Sequence, residues 1–354
     1  MTALLVVLVV LLFSVSLWQL SKLFELAKQG TSDTESIIAT DKDNDNNGYL
    51  MIAFVLFIYG LVIFTFYRWG ITQLPKSASE HGVEIDNLML ATWIVIFIVG
   101  ILMQGLLHYF AFLYRGKKGK RATFYAENDK LELIWTVIPV IVLSGLIIYG
   151  LFTWVDVMNV NKDEDPMVVE LYAYQFGWRV RYAGEDNELG KADVRLIEGT
   201  NQLGVDTSDP YVKDDIIADE MYLPVDKKVL IKMRSQDVLH SAYMPHFRAQ
   251  MNVVPGMITQ FAFTPTITTQ EMRETDRMRK KVSNINKIRE NNSLDLIAVG
   301  EEPLESYEFD YLLLCNKICG NNHYNMQMKI VVVEEEEFNE WIAEQETVAK
   351  SLNI

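Results

Sequence analysis

The chain has 354 residues, half of them hydrophobic, and a formal net charge of −15. An acidic balance of this size argues against nucleic acid as a partner and mildly favours a cationic one. The hydrophobic half is unevenly spread, so the first question is whether it is core or membrane.

Four apolar runs crowd the first 155 residues: Leu4 to Leu20, Leu50 to Phe66, Leu88 to Leu113 and Leu133 to Val155. Each is close to the ~20 residues that cross a bilayer core, and three carry no charge at all. The first run reads as a retained transmembrane helix and not as a signal peptide, because no basic segment precedes it and no small-residue cleavage pattern follows at once. The segment TSDTESIIATDKDNDNNGYL after it reads as a polar linker. Within it Asp43, Asp45, Asn47 and Gly48 imitate the start of a calcium-binding loop, but the acidic residue needed at the twelfth place is Phe54, so the likeness is a decoy.

Between the third and fourth runs, Arg115, Lys117, Lys118, Lys120 and Arg121 fall within seven positions. The positive-inside rule makes this loop cytoplasmic, which sends everything after Val155 to the outer side, together with the N-terminus if all four runs span.

Beyond Val155 the pattern turns to strands: MVVELYAYQFGWRVRY, KKVLIKMRS, MITQFAFTP, DYLLLC and MQMKIVVV, with turn residues between them. Alternating β-branched and aromatic residues predict a small antiparallel sandwich or barrel. Residues 268–292 interrupt it with a charged amphipathic helix, opened by a capping box of Thr268 and Glu271 and carrying Met278, Val282, Ile285 and Arg289 on one stripe. The acidic tail EEEEFNEWIAEQETVAKSL predicts a surface helix that docks Phe338, Trp341 and Ile342. The expected organisation is therefore an extra helix and linker (1–48), a second extra helix (49–86), a transmembrane hairpin (87–155), an all-β domain (156–335) with its helical insert, and a C-terminal helix (336–354).

The chemistry concentrates in CNKICGNNHYNM, residues 315–326, which holds both cysteines of the chain, a histidine and a methionine. Gly320, Asn321 and Asn322 are poor helix formers, so Cys315, Cys319, His323 and Met326 lie on a loop joining two strands. A disulfide between the cysteines suits an oxidising compartment, and zinc would accept Cys and His. Thiolate, imidazole and thioether together select copper, and two cysteines where a mononuclear blue-copper site uses one imply a shared thiolate pair or a second metal. His240, at a strand end after Asp237, is the best further ligand; His81 in a polar loop, His108 near a membrane boundary and His246 in an exposed turn are poorer candidates.

The copper loop, the segment Asp-Val-Leu-His-Ser at 237–241 and the Val-Val-Pro-Gly at 253–256 resemble subunit II of the haem-copper cytochrome c oxidases, over roughly residues 87–265 and 305–335. The resemblance implies a membrane-anchored cupredoxin domain holding a dinuclear CuA centre: Cys315 and Cys319 as bridging thiolates, His240 and His323 as imidazole ligands, Met326 as the weak thioether, and the backbone carbonyl of Lys317. It implies an electron-transfer subunit that receives electrons from a c-type cytochrome and passes them to a haem of subunit I, where oxygen is reduced and protons are pumped. No catalytic residue of that oxygen chemistry is expected here, and the absence of a Cys-x-x-Cys-His motif puts the donor haem on a partner. Glu132, with Trp135, Thr136 and Pro139 opening the fourth run, is similar to the family pattern in which a glutamate stands at the mouth of a proton path; an interfacial glutamate favoured by the helix dipole is the alternative. The setting implied is the bacterial inner membrane, with the copper domain periplasmic.

Three departures stand out. The family has a glutamate where Lys317 stands, reaching a magnesium or manganese ion, and often an aspartate where Asn252 stands; an ammonium repels such an ion, so none is expected. The family's first aromatic for electron input is replaced by Phe176, while Trp178 matches the second; core aromatics on alternate residues of a strand are the alternative reading. The two extra helices and the insert at 268–292 are expected to dock a donor fixed in a supercomplex, with lipid around the spans. The rival from another class is a membrane-anchored copper-delivery or storage protein; the quinol-oxidase type of subunit II lacks these ligands, and nitrous oxide reductase lacks the four spans.

Overall fold

The computed structural model describes residues 2–29, 40–70, 74–158 and 165–354. Of the polar linker expected at 31–50, residues 31–39 lie outside the described residues, and residues 41–50 are instead the first turns of a helix. The chain divides into two compact units, residues 1–71 with 96–129 and residues 72–95 with 130–354.

Four long helices open the chain: α1 (Thr2–Gln29), α2 (Asp41–Trp69), α3 (Glu80–Leu113) and α4 (Asp129–Met158). Among the described residues α2, α3 and the Asp129–Val155 part of α4 are long and apolar enough to cross a membrane. The first expected span falls on α1, whose side chains are described only from Val9 to Glu25. In the first unit, α2 runs antiparallel to the C-terminal part of α3: Tyr49 meets Phe112 edge-on at 5.3 Å, the Tyr59 hydroxyl donates to the Ile101 carbonyl at 3.1 Å, and Phe66 meets Phe97 at 4.8 Å. The calcium-loop decoy is the first two turns of α2. Thr40 caps them reciprocally with Asp43, and Asp45 is spent on Arg115, while Asp41 accepts from the Lys118 backbone. The acids thus partly neutralise the basic loop.

The second unit carries the β domain: β1 (Met167–Tyr174), β2 (Gly177–Tyr182), β3 (Ile216–Ala218), β4 (Met221–Pro224), β5 (Val229–Ser235), β6 (His240–Met244), β7 (Ala249–Val253), β8 (Thr259–Phe263), then α5 (Thr269–Glu274) and α6 (Asp276–Ala298), β9 (Tyr311–Cys315), β10 (Gln327–Val333), and finally α7 (Glu335–Ala343) and α8 (Val348–Leu352). Two five-stranded sheets, ordered β3-β2-β1-β5-β8 and β4-β10-β9-β6-β7, share one core of residues such as Leu171, Ile231, Ala242, Leu313 and Ile330. The fold class is the expected one: apolar helices followed by a cupredoxin-like β domain. The sheets are mixed and not antiparallel throughout, because β1 pairs parallel with β5 and β10 parallel with β4. Alternation along a strand reports which face is buried, not the direction of its neighbour, so this was not readable from pattern.

Two predicted single helices are each broken. Thr275, extended at φ −63° and ψ 139°, separates α5 from α6, and residues 344–347 separate α7 from α8. Met278 is buried and Val282 packs on the core, whereas Phe338, Trp341 and Ile342 dock through a stack of Trp341 on Tyr222 at 4.2 Å.

The domain also includes residues just before and at the start of α3. Ala78 is fully buried, its N–H donates to the His246 carbonyl, and Arg248 forms a two-pronged ion pair with Asp86, both bonds at 2.8 Å. His81 is buried against Phe261 and Phe263 on α3, so it is not a polar-loop residue: its apolar ring faces are used for packing. His246 is likewise mostly covered, by Phe309 and Tyr311, and burial first, then the charges of Lys281, Arg248 and Arg277, push its pKa down to about 4.

Candidate metal centre

The site is made where strand ends and one loop meet. β6 pairs with β9 so that Ala242 faces Cys315, and the Asn316 N–H donates to the Ser241 carbonyl at 2.9 Å. The Cys315 N–H donates to the Met326 carbonyl at 3.1 Å, so the loop is closed at its base by the β9–β10 ladder. Gly320 makes the return bend at φ +145°, a region that favours glycine. A Cβ there would stand 2.7 Å from the ring of Phe176, which lies against the loop.

This closure gathers every donor expected from the sequence. Cys315 Sγ lies 3.9 Å from His240 Nδ1, 3.8 Å from Cys319 Sγ and 3.2 Å from the Lys317 carbonyl oxygen. Cys319 Sγ lies 3.7 Å from His323 Nδ1 and 3.7 Å from Met326 Sδ. The sulfur separation is far beyond the ~2.05 Å of a disulfide, and both cysteines are free. His240 is fully buried, and Cys319 and Met326 are 6% and 2% exposed. Burial, and then the neighbouring Cys315, push the Cys319 thiol up to about 11, so a cation is needed to draw off its proton.

Sequence reasoning marked Asp237 only as the residue before a strand and missed that it and Gln175 support the candidate donors. Asp237 Oδ1 accepts from His240 Nε2 at 2.9 Å, which leaves Nδ1 as the lone pair aimed at Cys315. Burial works to raise the Asp237 carboxyl, but hydrogen bonds from His240, Val238 and Gln175 hold it below its ordinary value. Gln175 joins the two halves, its backbone N–H bound to Asp237 and its side-chain amide donating to the Cys319 carbonyl. The signal available was an acid three residues before His240.

The other candidates lie apart. Trp178 is buried with its ring 6.0 Å from the His240 ring, and Phe176 is half-buried over the loop. The Lys317 side chain is exposed, as are Ile318 and Tyr324 of the same loop, each 86% exposed, and Asn252 is exposed on β7. Glu132 is exposed in the first turn of α4.

Two family models match the chain: "Cytochrome C oxidase subunit II, transmembrane domain" over residues 66–152 and "Cytochrome C oxidase subunit II, periplasmic domain" over residues 167–271. The second match stops at the start of the helical insert, before the cysteine loop. The chain is similar to the alternative cytochrome c oxidase subunit 2 of Bradyrhizobium diazoefficiens, 29% identical over 302 residues that cover 85% of this chain and 94% of that protein. It is similar to cytochrome c oxidase subunit 2 of Cereibacter sphaeroides, at 22% identity over 77% of this chain and 80% of that protein. A third relative, from Thermostichus vulcanus and of the same name, is 23% identical over 78% of this chain and 79% of that protein.

Proposed function

The chain belongs to the cytochrome c oxidase subunit II family, membrane proteins with a periplasmic domain and part of an oxidoreductase complex, and from that premise we propose that His240, Cys315, Cys319, His323, Met326 and the Lys317 carbonyl hold a dinuclear CuA centre. The observation that carries the assignment is the 3.8 Å approach of two free thiols at the meeting point of two imidazoles, a thioether and a carbonyl. At that spacing both sulfurs reach one ion at about 2.3 Å, yet six donors exceed what one tetrahedral ion takes, which argues for two ions.

When bound, the centre takes up and hands on one electron at a time between a c-type cytochrome and the haem of subunit I, where oxygen is reduced to water and protons are pumped. The chain's own part is to fix the ligands and keep water away. Asp237 sets the His240 tautomer, the ladder between β6, β9 and β10 fixes both ends of the loop, and burial of Cys319 and Met326 dries the inner side. Phe176 and Trp178 form the aromatic route beside the ligands, and Glu132 stands at the mouth of a proton path. The Lys317 ammonium replaces a magnesium or manganese ion. The subunit sits in the bacterial inner membrane among the other oxidase subunits and lipid, with α1, α2 and the insert docking a donor held in a supercomplex.

Copper analysis and electron paramagnetic resonance on the full chain, loaded with copper in detergent, test the assignment. Two coppers per chain sharing one unpaired electron are expected. A single copper with a localised electron would overturn it and leave a copper-delivery protein.

A further inference from the structure

The insert between β8 and β9 springs from the point where the domain meets the start of α3. The Glu80 N–H donates to the Thr264 carbonyl and the Thr266 N–H to the Ala78 carbonyl, so α3 begins beside the residues that lead into α5. Arg248 is ion-paired with Asp86, two residues before the apolar run at Leu88, and Arg248, Arg277 and Lys281 all act on His246. Asp86, which holds Arg248, stands about 3 Å along α3 before the level where the helix turns apolar, taking 1.5 Å per helical residue, and the insert leaves the sheet at this same end of the domain. That is the headgroup layer of a bilayer, which adds roughly 5–8 Å on each side of the ~30 Å hydrocarbon core.

One face of α6 is built for that layer. Its inner stripe is used: Met278 is buried, Val282 packs on the core, Asn286 exchanges two hydrogen bonds with the Tyr307 backbone, and Arg289 donates to the Glu305 carbonyl. Arg273, before α6, is spent on Glu308 and Asp310. By contrast Arg277, Lys280, Lys281 and Lys287 are all exposed, and none has a carboxylate partner among the described residues. At 100° per residue they share a face with Ile288, which is 60% exposed; the exposed Asp295 lies on that face about two turns beyond Lys287, and Glu290 falls about 140° round the axis from Arg277. A row of cations with an apolar side chain among them, in a chain of net charge −15, is a local inversion of sign.

We propose that this face of α6 lies on the periplasmic membrane surface and binds anionic phospholipid headgroups, so that the insert straps the copper domain to the bilayer beside α3. The charge complementarity and the continuity with the α3 span select lipid as the occupant. The exposed apolar end of the insert, with Leu294, Ile297 and Val299, stays outside this contact and remains available to a protein.

Hydrogen exchange on the whole oxidase in lipid nanodiscs tests the proposal. Discs of phosphatidylcholine are compared with discs in which a third of it is replaced by phosphatidylglycerol. Amides of residues 277–291 are expected to exchange at least about threefold more slowly in the anionic discs, and to lose that protection in 1 M salt, where the screening length falls to about 3 Å. The variant carrying Arg277→Gln, Lys280→Gln, Lys281→Gln and Lys287→Gln should show no difference between the discs, with residues 269–276 unchanged as the control for folding. Equal exchange of the parent protein in both discs overturns the proposal. So does protection that is the same in both discs and survives in the variant, which would assign the face to a protein partner.

Discussion

Two polar clusters of the β domain differ in how their charges are balanced. On the outer face of the first sheet, Glu170 lies between Arg181 at 2.9 Å and Arg234 at 2.6 Å, and Arg181 reaches on to Asp215 at 2.8 Å. Two acids meet two bases, and the excursion bearing Leu203, Val205 and Val212 seals them with help from Val348. Burial works to raise the Glu170 carboxyl, but the guanidiniums of Arg181 and Arg234 hold it below the usual range; at Asp215 burial wins and pushes the pKa up to about 7. At the ends of β6 and β9 the second cluster aims sulfur, nitrogen and carbonyl lone pairs at one another. The lesson is physical. A buried group whose charges cancel internally is structure, whereas one that converges acceptors calls for a cation from outside.

The sharpest way to break this contrast is to remove one of the two thiols. Cys319→Ser offers a hard hydroxyl in place of a soft thiolate, and copper per chain is expected to fall from two to one or none. The thermal midpoint of the metal-free protein should fall only slightly, because serine is close in size to cysteine and Cys319 is one side chain of a large core that the ion network does not share. A variant that still binds two coppers would show that Cys319 is not a bridging ligand.

Next in size is the opposite experiment. Arg181→Met leaves Glu170 and Asp215 as buried carboxylates with one guanidinium between them. A loss of about 3–5 kcal/mol in denaturant unfolding is expected, the cost of breaking a buried pair from one side. Copper stoichiometry in the fraction that remains folded should be unchanged. If stability is unaffected, the network is not held by charge cancellation.

The two clusters also differ in how far they could be read from sequence. Cys315, Cys319, His323 and Met326 were legible because one loop carries them within twelve positions, and soft donors at that density have few other uses. His240, seventy-five residues earlier by number, came from its strand-end position and from the family resemblance. The network of Glu170, Arg181, Asp215 and Arg234 was invisible: on strands that alternate in and out, charged residues read as the solvent face, and only the fold reveals that another segment covers it. The same blindness misplaced His81 and His246, whose rings are buried by strands remote in the chain.

A smaller effect separates ligand from support. Asp237→Asn keeps an oxygen near His240 Nε2 but removes the charge that fixes the tautomer. Copper affinity, measured by competition with a chelator of known strength, is expected to drop about 10- to 100-fold while two coppers still bind at saturation. An unchanged affinity would mean that packing alone, through Trp178 at 6.0 Å, orients the imidazole.

The smallest expected effect is at Lys317, and it tests which part of that residue matters. Its carbonyl oxygen faces Cys315 Sγ at 3.2 Å, while its side chain is exposed. Any L-residue supplies the same carbonyl, so Lys317→Glu should leave copper content and the shared-electron spectrum unchanged. The ammonium, however, is a fixed positive charge where a carboxylate would attract a divalent cation. After growth in manganese, the parent complex should hold no tightly bound manganese, and the Lys317→Glu variant is the one expected to acquire it. One manganese per complex in the parent would defeat the charge argument, and loss of copper in the variant would show that the side chain, and not only the backbone, holds the loop in place.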